Sequence, residues 1–276
     1  MQHNVAIVIP TYKQYAELSA SEQLSLHRTY EVLRAHDFVF ITHAGIDLSG
    51  YPSPPGPGRV WPLVLPPGCF KGLNSYSQLL LSREFYQSFA AYDYLLVCQL
   101  DVYVFADQLP YFTGKGYDYI GAPWFEGYDQ ADAHSALMGV GNGGFSLRKV
   151  ESFLAVLDTL ELFSGRRPTL CTARAGLRHI GSILRVAKHE YYRRVKGRAY
   201  EPALPWDVTI YEDGYWGLMV KIFFPWFRVA SLADATAFAF EVNPRVLYEL
   251  NQHQLPMATH AWEKYDPEFW QSYIQS

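Results

Sequence analysis

The feature that most constrains the fold is a long apolar run that contains one carboxylate. Residues 94–105 read YLLVCQLDVYVF, in which Asp101 is the only charged residue. A strand this apolar is typical of a sheet that is covered on both faces. A carboxylate buried in such a strand is unfavourable unless it is paired or binds a metal. The run therefore predicts a buried central strand, with Asp101 either a functional group at its end or a structural aspartate held by backbone N–H groups.

The N-terminal residues predict parallel α/β layers. Residues 5–9 and 38–41 are short apolar runs rich in β-branched and aromatic side chains, which predicts two strands. Between them, Leu26, Tyr30 and Leu33 recur at helical spacing. A strand, a helix and a strand joined by short connections predict parallel pairing and an α/β fold.

The same reasoning extends along the rest of the chain. It predicts an edge strand over 60–65, helices over 73–91 and 150–162, and a strand over 227–240. We see no internal repeat and no linker-like segment, and therefore expect a single domain over residues 1–276.

Composition excludes several classes of protein. Apolar residues make up 49% and charged residues 18%, which excludes a disordered chain. A net charge of −4 argues against a general nucleic-acid binder. Cys69, Cys98 and Cys171 are far apart, which is typical neither of a disulfide framework nor of a zinc site. Without a signal peptide or a membrane-spanning run, the sequence predicts a cytoplasmic protein.

A second acidic feature is the adjacent pair Glu212 and Asp213, which precedes the aromatic residues Tyr215 and Trp216. Carboxylates at this position can cap the N-terminus of a helix, where they meet free N–H groups. They can also act as a general base toward a hydroxyl group. The sequence leaves both interpretations open.

Two further features are ambiguous when taken alone. Residues 139–144 contain four glycines, which permit a tight turn or a close backbone approach to a ligand such as a sugar. His260 is a late, isolated histidine that is either structural or a metal ligand. A hard divalent cation needs few protein ligands when it also binds substrate phosphates, so Asp101 and His260 together would be enough.

Several of these segments resemble one class of enzyme. Residues 6–12 (AIVIPTY) resemble the first strand and loop of nucleotide-sugar glycosyltransferases with the GT-A fold, and residues 99–105 resemble their metal-binding strand end. Residues 118–124 (DYIGAPW), 141–148 (GNGGFSLR) and 260–262 (HAW) resemble blocks of a GT-A-like family found largely in bacteria and fungi. The resemblance implies a mixed, mostly parallel central sheet flanked by helices.

The resemblance also implies a role for each matching residue. Asp213 would be the base that deprotonates an acceptor hydroxyl, with Glu212 beside it. Asp101 and His260 would bind a divalent metal, Mn²⁺ or Mg²⁺. The implied donor-binding residues are Pro10, Thr11, Tyr12, Lys71, Gln99, Asp101, Gly143, Gly144 and Arg148. The implied acceptor-binding residues are Trp124, Trp216 and Trp262.

The sequence departs from the GT-A pattern at one position. The usual Asp-x-Asp reads Asp101-Val102-Tyr103, so the second carboxylate is missing. The metal would then be weakly held, held through water, or absent. If it is absent, Arg148 or Lys71 would have to neutralise the leaving diphosphate.

A basic segment lies outside the resemblance. Residues 166–198 contain ten of the 23 Lys and Arg residues and one acid, Glu190, for a net charge of +9. Apolar residues at roughly helical spacing predict a basic amphipathic helix, which can lie on an anionic membrane surface. The alternative is a solvated helix that packs on the core through its apolar face.

Taken together, these features predict a cytoplasmic glycosyltransferase, and the basic segment leaves association with the inner face of the membrane open. It would move a sugar from a nucleoside diphosphate sugar to a hydroxyl of a glycan or glycolipid, with inversion. One alternative is a non-catalytic carbohydrate- or nucleotide-binding protein on the same scaffold, since fold does not fix function. A hydrolase that uses Asp101 and Asp213 as a carboxylate pair is a more distant alternative.

Overall fold

The computed structural model describes residues 3–163, 179–196 and 211–274. The strands are β1 (Val5–Pro10), β2 (Asp37–Thr42), β3 (Val60–Val64), β4 (Tyr94–Cys98), β5 (Val102–Val104), β6 (Tyr119–Ile120), β7 (Pro123–Phe125), β8 (Leu137–Val140), β9 (Phe145–Lys149), β10 (Ala239–Phe240) and β11 (Ala258–His260). The helices are α1 (Ala20–Val32), α2 (Leu73–Leu80), α3 (Arg83–Gln87), α4 (Leu109–Gly114), α5 (Val150–Glu161), α6 (Ile180–Lys196), α7 (Glu212–Gly214), α8 (Val220–Phe223), α9 (Leu232–Phe238), α10 (Pro244–Leu250) and α11 (Pro267–Trp270).

The central sheet has the strand order β3-β2-β1-β4-β9-β6. The first four strands are parallel to one another, and β9 runs antiparallel between β4 and β6. Every residue of β1 and β4 is buried, as their apolar sequences predict. The predicted α/β class with a mostly parallel sheet is therefore confirmed.

The two faces of the sheet build two separate cores. Ala6 and Val8 of β1 contribute to a core with residues of α2, α3 and α5, whereas Ile7 and Ile9 contribute to a core with residues of α1 and α4. Because side chains alternate along a strand, successive residues of one apolar run supply both cores. Helices thus flank both faces of the sheet, as expected.

The apolar run of residues 94–105 forms two strands instead of one. β4 ends at Cys98, the backbone N–H of Val102 donates to Gln99 O at 3.1 Å, and β5 then begins. β5 belongs to a second sheet with the order β10-β11-β5. Asp101 therefore lies in the turn that joins the two sheets, directly beyond the carboxyl end of β4.

Two helix and strand predictions need correction. The helix predicted over 73–91 is divided into α2 and α3, because Ser82 caps a new helix by accepting from Phe85 N. The strand predicted over 227–240 is wrong for most of its length, since it contains α9. Ser231 accepts a hydrogen bond from Asp234 N, so a polar cap begins this helix where the apolar alternation alone predicts a strand.

The basic segment is described in part, because residues 166–178 and 197–198 lie outside the described residues. Within it, α6 confirms helical structure and buries Val186. Its exposed apolar side chains lie on one face of the helix: Ile180, Leu184, Tyr191 and Val195. In the part of the chain that the structure describes, helices long and apolar enough to cross a membrane do not occur.

Candidate active site

Two adjoining cavities open where the strands of the central sheet end. The smaller one, of about 340 Å³, is lined by Pro10, Tyr12, Lys71, Gln99 and Asp101, among others. The larger one, of about 420 Å³, is lined by Gln99, Trp124, Asp213, Glu241 and His260, among others. The cavities also share Leu73 and Tyr76 at the start of α2.

Strand register explains why distant residues meet at the smaller cavity. β1 and β4 are parallel neighbours with Val8 opposite Val97, so both strands end at the same edge of the sheet. Pro10 and Asp101 lie just at or beyond these ends. Parallel sheets bind ligands in this position, outside the carboxyl ends of their strands.

Asp101 and His260 face each other between the cavities. Asp101 lines the smaller cavity and His260 the larger one, and Asp101 Oδ1 lies 3.3 Å from His260 Nε2. β11 runs antiparallel to β5 with His260 opposite Val102, which brings the imidazole beside the turn that carries Asp101. Ala261 N also donates to Asp101 O at 3.0 Å.

The other nitrogen of the imidazole contacts a third acid. His260 Nδ1 lies 2.8 Å from Glu241 Oε1. Burial alone would lower the pKa of His260, but the charges of Asp101 and Glu241 raise it to about 10. Burial alone would raise the pKa of Asp101, but the charge of His260 and its hydrogen bond lower it. We call Asp101, Glu241 and His260 the histidine cluster.

Within the histidine cluster, Asp101 and His260 offer two donor atoms to a divalent cation. Asp101 Oδ1 and His260 Nε2 are buried and lack a well-aligned hydrogen-bond partner. Two ligands about 2.1 Å from one cation, on adjacent octahedral positions, are about 3 Å apart, close to the observed 3.3 Å. No group of three His, Cys, Asp or Glu side chains in the described residues could hold a metal. A cation here would therefore complete its shell with water or substrate oxygens.

Asp213, which belongs to α7, lines the larger cavity together with His260. Its Oδ2 accepts a hydrogen bond from Gly143 N and its Oδ1 accepts one from Gly214 N, both at 2.9 Å. Burial raises the pKa of Asp213 although both hydrogen bonds lower it. A carboxylate whose pKa is raised toward neutrality is a better general base than an ordinary aspartate.

Glu212 differs from its neighbour because it is tied to a buried guanidinium. Arg148 Nη1 and Nη2 donate to the two oxygens of Glu212 at 2.9 and 2.8 Å, and Nη1 also donates to Tyr86 OH. Burial raises the pKa of Glu212 to about 7, although the charge and hydrogen bonds of Arg148 favour its carboxylate form and lower it. We call Tyr86, Arg148 and Glu212 the arginine cluster. It fixes the backbone that carries Asp213.

The histidine cluster and the arginine cluster both need glycines in the loop of residues 139–144. A Cβ at Gly143 would lie 2.6 Å from Glu212 Oε1, and a Cβ at Gly144 would overlap the imidazole of His260. Gly144 O also accepts from Gln99 N at 2.9 Å, which joins the loop to the end of β4. The glycines thus let the histidine and arginine clusters approach one loop.

Asn142 of the same loop presents a polar group to the larger cavity. Its backbone has a φ of 79°, and its Oδ1 accepts hydrogen bonds from Gly144 N and Phe145 N. These two donors fix the orientation of the amide. Its Nδ2 is buried without a hydrogen-bond partner, so it can donate to a ligand in this cavity.

The structure separates the three predicted acceptor tryptophans. Trp124 lines the larger cavity, with its ring edge-to-face against Tyr128 and its indole filling the space left by Gly141. Trp216 is fully buried in the core, with its Nε1 donating to Leu80 O, so the acceptor prediction for it is wrong. Trp262 lies outside the lining of both cavities and donates to Ser25 Oγ, and its role toward an acceptor stays a prediction.

Two predicted donor-binding residues also lie outside both cavities. Thr11 is buried, and its Oγ1 donates to Ile9 O. Arg148 has no exposed surface because the arginine cluster surrounds it. Its predicted contact with a leaving diphosphate is therefore wrong. The charge that suggested a phosphate ligand is neutralised by Glu212.

The sequence does not predict several cavity residues as ligands, and Glu241, Asn142 and Lys264 are three of them. Glu241 follows a two-residue strand that has no recognisable motif. Asn142 is predicted only as part of a glycine-rich turn, and its positive φ is the signal that it is more than a spacer. Lys264 lines the larger cavity four residues after His260, and its Nζ donates to Tyr265 OH at 2.8 Å.

Comparison with known proteins identifies a family. A family profile described as "Protein of unknown function (DUF5672)" matches residues 62–260. The match includes Asp101, Asp213, Glu241 and His260. Among curated proteins, none matches the sequence.

Similar solved structures are glycosyltransferases. The galactosyltransferase LgtC in complex with donor and acceptor sugar analogues is 13% identical, with a TM-score of 0.47 over 92% of this chain and 86% of that chain. The apo form of the glycosyltransferase GlyE from Streptococcus pneumoniae TIGR4 is 11% identical, with a TM-score of 0.45 over 99% of this chain and 60% of that chain. At these scores, neither similarity bears on the role of any residue.

Proposed function

We propose that this chain, which belongs to the DUF5672 family of proteins of unknown function, is a glycosyltransferase. It would move a sugar from a nucleoside diphosphate sugar to a hydroxyl of a glycan or glycolipid. One observation carries the proposal: Asp101 and His260 meet between two adjoining cavities, and Asp213 lines the larger of them. A cation-binding pair between two cavities suits a diphosphate that joins a nucleoside to a sugar.

The smaller cavity would bind the nucleoside and the diphosphate. Pro10 and the exposed ring of Tyr12 offer flat apolar surfaces to a base and a ribose. Lys71 brings a cation to the same cavity at the start of α2. A lysine suits this role because it contacts phosphate as a point charge.

Asp101 Oδ1 and His260 Nε2 would hold a divalent cation, Mn²⁺ or Mg²⁺. Such an ion, when bound, offsets the negative charge that develops on a leaving diphosphate. Manganese tolerates the imidazole ligand better than magnesium. His260 must lose its Nε2 proton to act as a ligand, so cation binding releases protons.

The missing second acid is consistent with this arrangement. Tyr103 pairs with Thr259 across the second sheet and packs edge-to-face against Trp262. It belongs to a separate apolar core and lines neither cavity. His260 would therefore serve as the second protein ligand.

Asp213 would accept the proton of the acceptor hydroxyl in the larger cavity. The hydroxyl oxygen would attack the anomeric carbon while the bond to the diphosphate breaks, which inverts the configuration. Trp124 would support a sugar ring, and the free Nδ2–H of Asn142 would donate to a sugar oxygen. Glu212 would hold Asp213 in place without taking the proton itself.

A non-catalytic binding protein is the second candidate. The observation in its favour is that His260, with a pKa of about 10, bridges the carboxylates of Asp101 and Glu241. Such a closed ion-pair network could be structural.

A screen of UDP, GDP, dTDP and CMP sugars with Mn²⁺ or Mg²⁺ tests the proposal. We expect one donor to raise the melting temperature of the protein, because ligands that bind only the folded state stabilise it. We also expect slow release of the nucleotide in the presence of the cation. Donor binding without nucleotide release, with and without a panel of glycans, would favour the binding protein.

A contact with an anionic membrane through residues 166–198 stays a prediction, as do the cytoplasmic location and the single domain. The exposed apolar stripe of α6 supports the membrane contact, because Arg185 and Lys188 are exposed on the same helix. Such a surface would suit a lipid-linked acceptor.

A further inference from the structure

We propose that Glu241 is a positioning residue that makes His260 a cation ligand. The inference rests on the proposed function, because it assumes that Asp101 and His260 hold a divalent cation. It concerns how the chain presents one particular nitrogen of the imidazole to that cation.

The position of Glu241 follows from strand pairing. β10 and β11 are parallel neighbours, with Phe240 opposite Thr259. Glu241 directly follows Phe240 at the end of β10, and His260 follows Thr259 in β11, so the pairing brings the two side chains together. Their contact is short, with Glu241 Oε1 2.8 Å from His260 Nδ1.

The contact determines which nitrogen is available. A carboxylate can only accept a hydrogen bond, so Nδ1 must carry a proton. In the neutral imidazole the lone pair is then on Nε2, the nitrogen that faces Asp101 Oδ1. Without Glu241, the proton could reside on Nε2 and block the cation.

The surroundings restrict the orientation of the imidazole. Its side chain is largely buried, and the space beside Nε2 is free only because residue 144 is glycine. Glu241 is also largely buried, which strengthens its hydrogen bond relative to one in water. Hydrogen-bond partners of this kind typically change metal affinity 10- to 100-fold when they are replaced.

The test compares Mn²⁺ binding by the full chain and two variants. Free Mn²⁺ is measured by electron paramagnetic resonance during titration of the wild type, Glu241→Gln and Asp129→Asn. Asp129 lines the same cavity but does not contact His260, so it controls for the general loss of a negative charge. We expect Glu241→Gln to weaken Mn²⁺ binding about 10- to 100-fold and Asp129→Asn to weaken it much less.

A second measurement separates positioning from direct catalysis. Excess Mn²⁺ should restore most of the transfer rate of Glu241→Gln, because the reacting groups are intact. Melting temperatures confirm that both variants are folded. Wild-type Mn²⁺ affinity in Glu241→Gln, or an equal loss in Asp129→Asn, would overturn the inference.

Two other results would also overturn it. One is a rate loss in Glu241→Gln that Mn²⁺ does not restore and that accompanies a higher KM for the acceptor, because Glu241 would then contact substrate. The other is wild-type protein that binds no Mn²⁺. Nucleotide release by the wild type decides the glycosyltransferase proposal separately, so the two failures are distinguishable.

Discussion

Asp101 and Asp213 both line the cavities, but their surroundings shift their pKa values in opposite directions. Asp101 faces the imidazole of His260, whose charge outweighs burial and lowers the pKa of Asp101. Asp213 receives only two backbone hydrogen bonds, and burial outweighs them and raises its pKa. Pairs of groups whose pKa values are pushed apart often divide the work of an active site. Asp101 suits a permanent anion that binds a cation, and Asp213 suits a group that gains and loses a proton.

The largest expected effect comes from removing the proposed general base, Asp213. Asp213→Asn keeps the shape of the side chain but cannot act as a base, so transfer should fall about 10²- to 10⁴-fold. Binding of the nucleotide sugar should be unchanged, since Asp213 is absent from the lining of the smaller cavity. Initial-rate and calorimetric measurements on the same preparation check both expectations. Unchanged turnover would remove the assignment of the base.

The next largest effect concerns the stability of the arginine cluster. Arg148→Met leaves Glu212 buried without a counter-charge, which should lower the free energy of unfolding by about 3–5 kcal/mol. Urea unfolding followed by circular dichroism measures the change.

The double variant Arg148→Met with Glu212→Met is the matched control. It removes both charges, and well-packed apolar residues often replace a buried pair at little loss. It should be more stable than Arg148→Met alone. If it is less stable, then packing and not the buried charge explains the loss.

A smaller effect on Mn²⁺ affinity is expected when one methyl group is added beside the histidine cluster. In Gly144→Ala the new Cβ would overlap His260 Nε2, so the ring must move. We expect Mn²⁺ affinity to fall about tenfold or more. Gly68→Ala is the control, because a Cβ there has no atom within 4 Å. Equal Mn²⁺ affinity in both variants would contradict the proposed contact between the ring and the cation.

The smallest expected effect is a shift in the pH dependence of transfer. The active form of Asp213 is deprotonated, so kcat/KM should rise with pH as its proton is lost. Because burial raises the pKa of Asp213, the midpoint should lie above the ordinary aspartate value of about 3.9. A pH–rate profile, with circular dichroism to exclude unfolding at each pH, measures it. A midpoint at or below the ordinary aspartate value would contradict the proposed difference in pKa between Asp213 and Asp101.

Features encoded by neighbouring residues could be predicted from the sequence. The burial of β1 and β4 follows from their uninterrupted apolar residues, and the position of Asp101 at the edge of the sheet follows from the end of β4. Tyr12 and Lys71, which the resemblance to a family implies as donor-binding residues, line the same cavity as Asp101, and their donor-binding role stays a prediction.

Features that depend on distant partners could not be predicted. A sequence does not reveal that Arg148 is neutralised by Glu212, 64 positions away. It also does not reveal that Trp216 fills the core while Trp124 lines a cavity. Glu241 has no local signal, because its role depends on the pairing of two short strands that are separated along the chain.

The division of residues 94–105 between two sheets has a consequence for the growing polypeptide. The central sheet is complete once β9 has been made, whereas the second sheet needs β10 and β11 from near the C-terminus. During synthesis on the ribosome, Asp101 is therefore made long before His260, and until β11 is made the strand β5 has an unpaired edge. A chain released before residue 258 would keep the strands of its central sheet and Asp101 but lack His260, so premature termination would yield a scaffold without the proposed cation-binding pair.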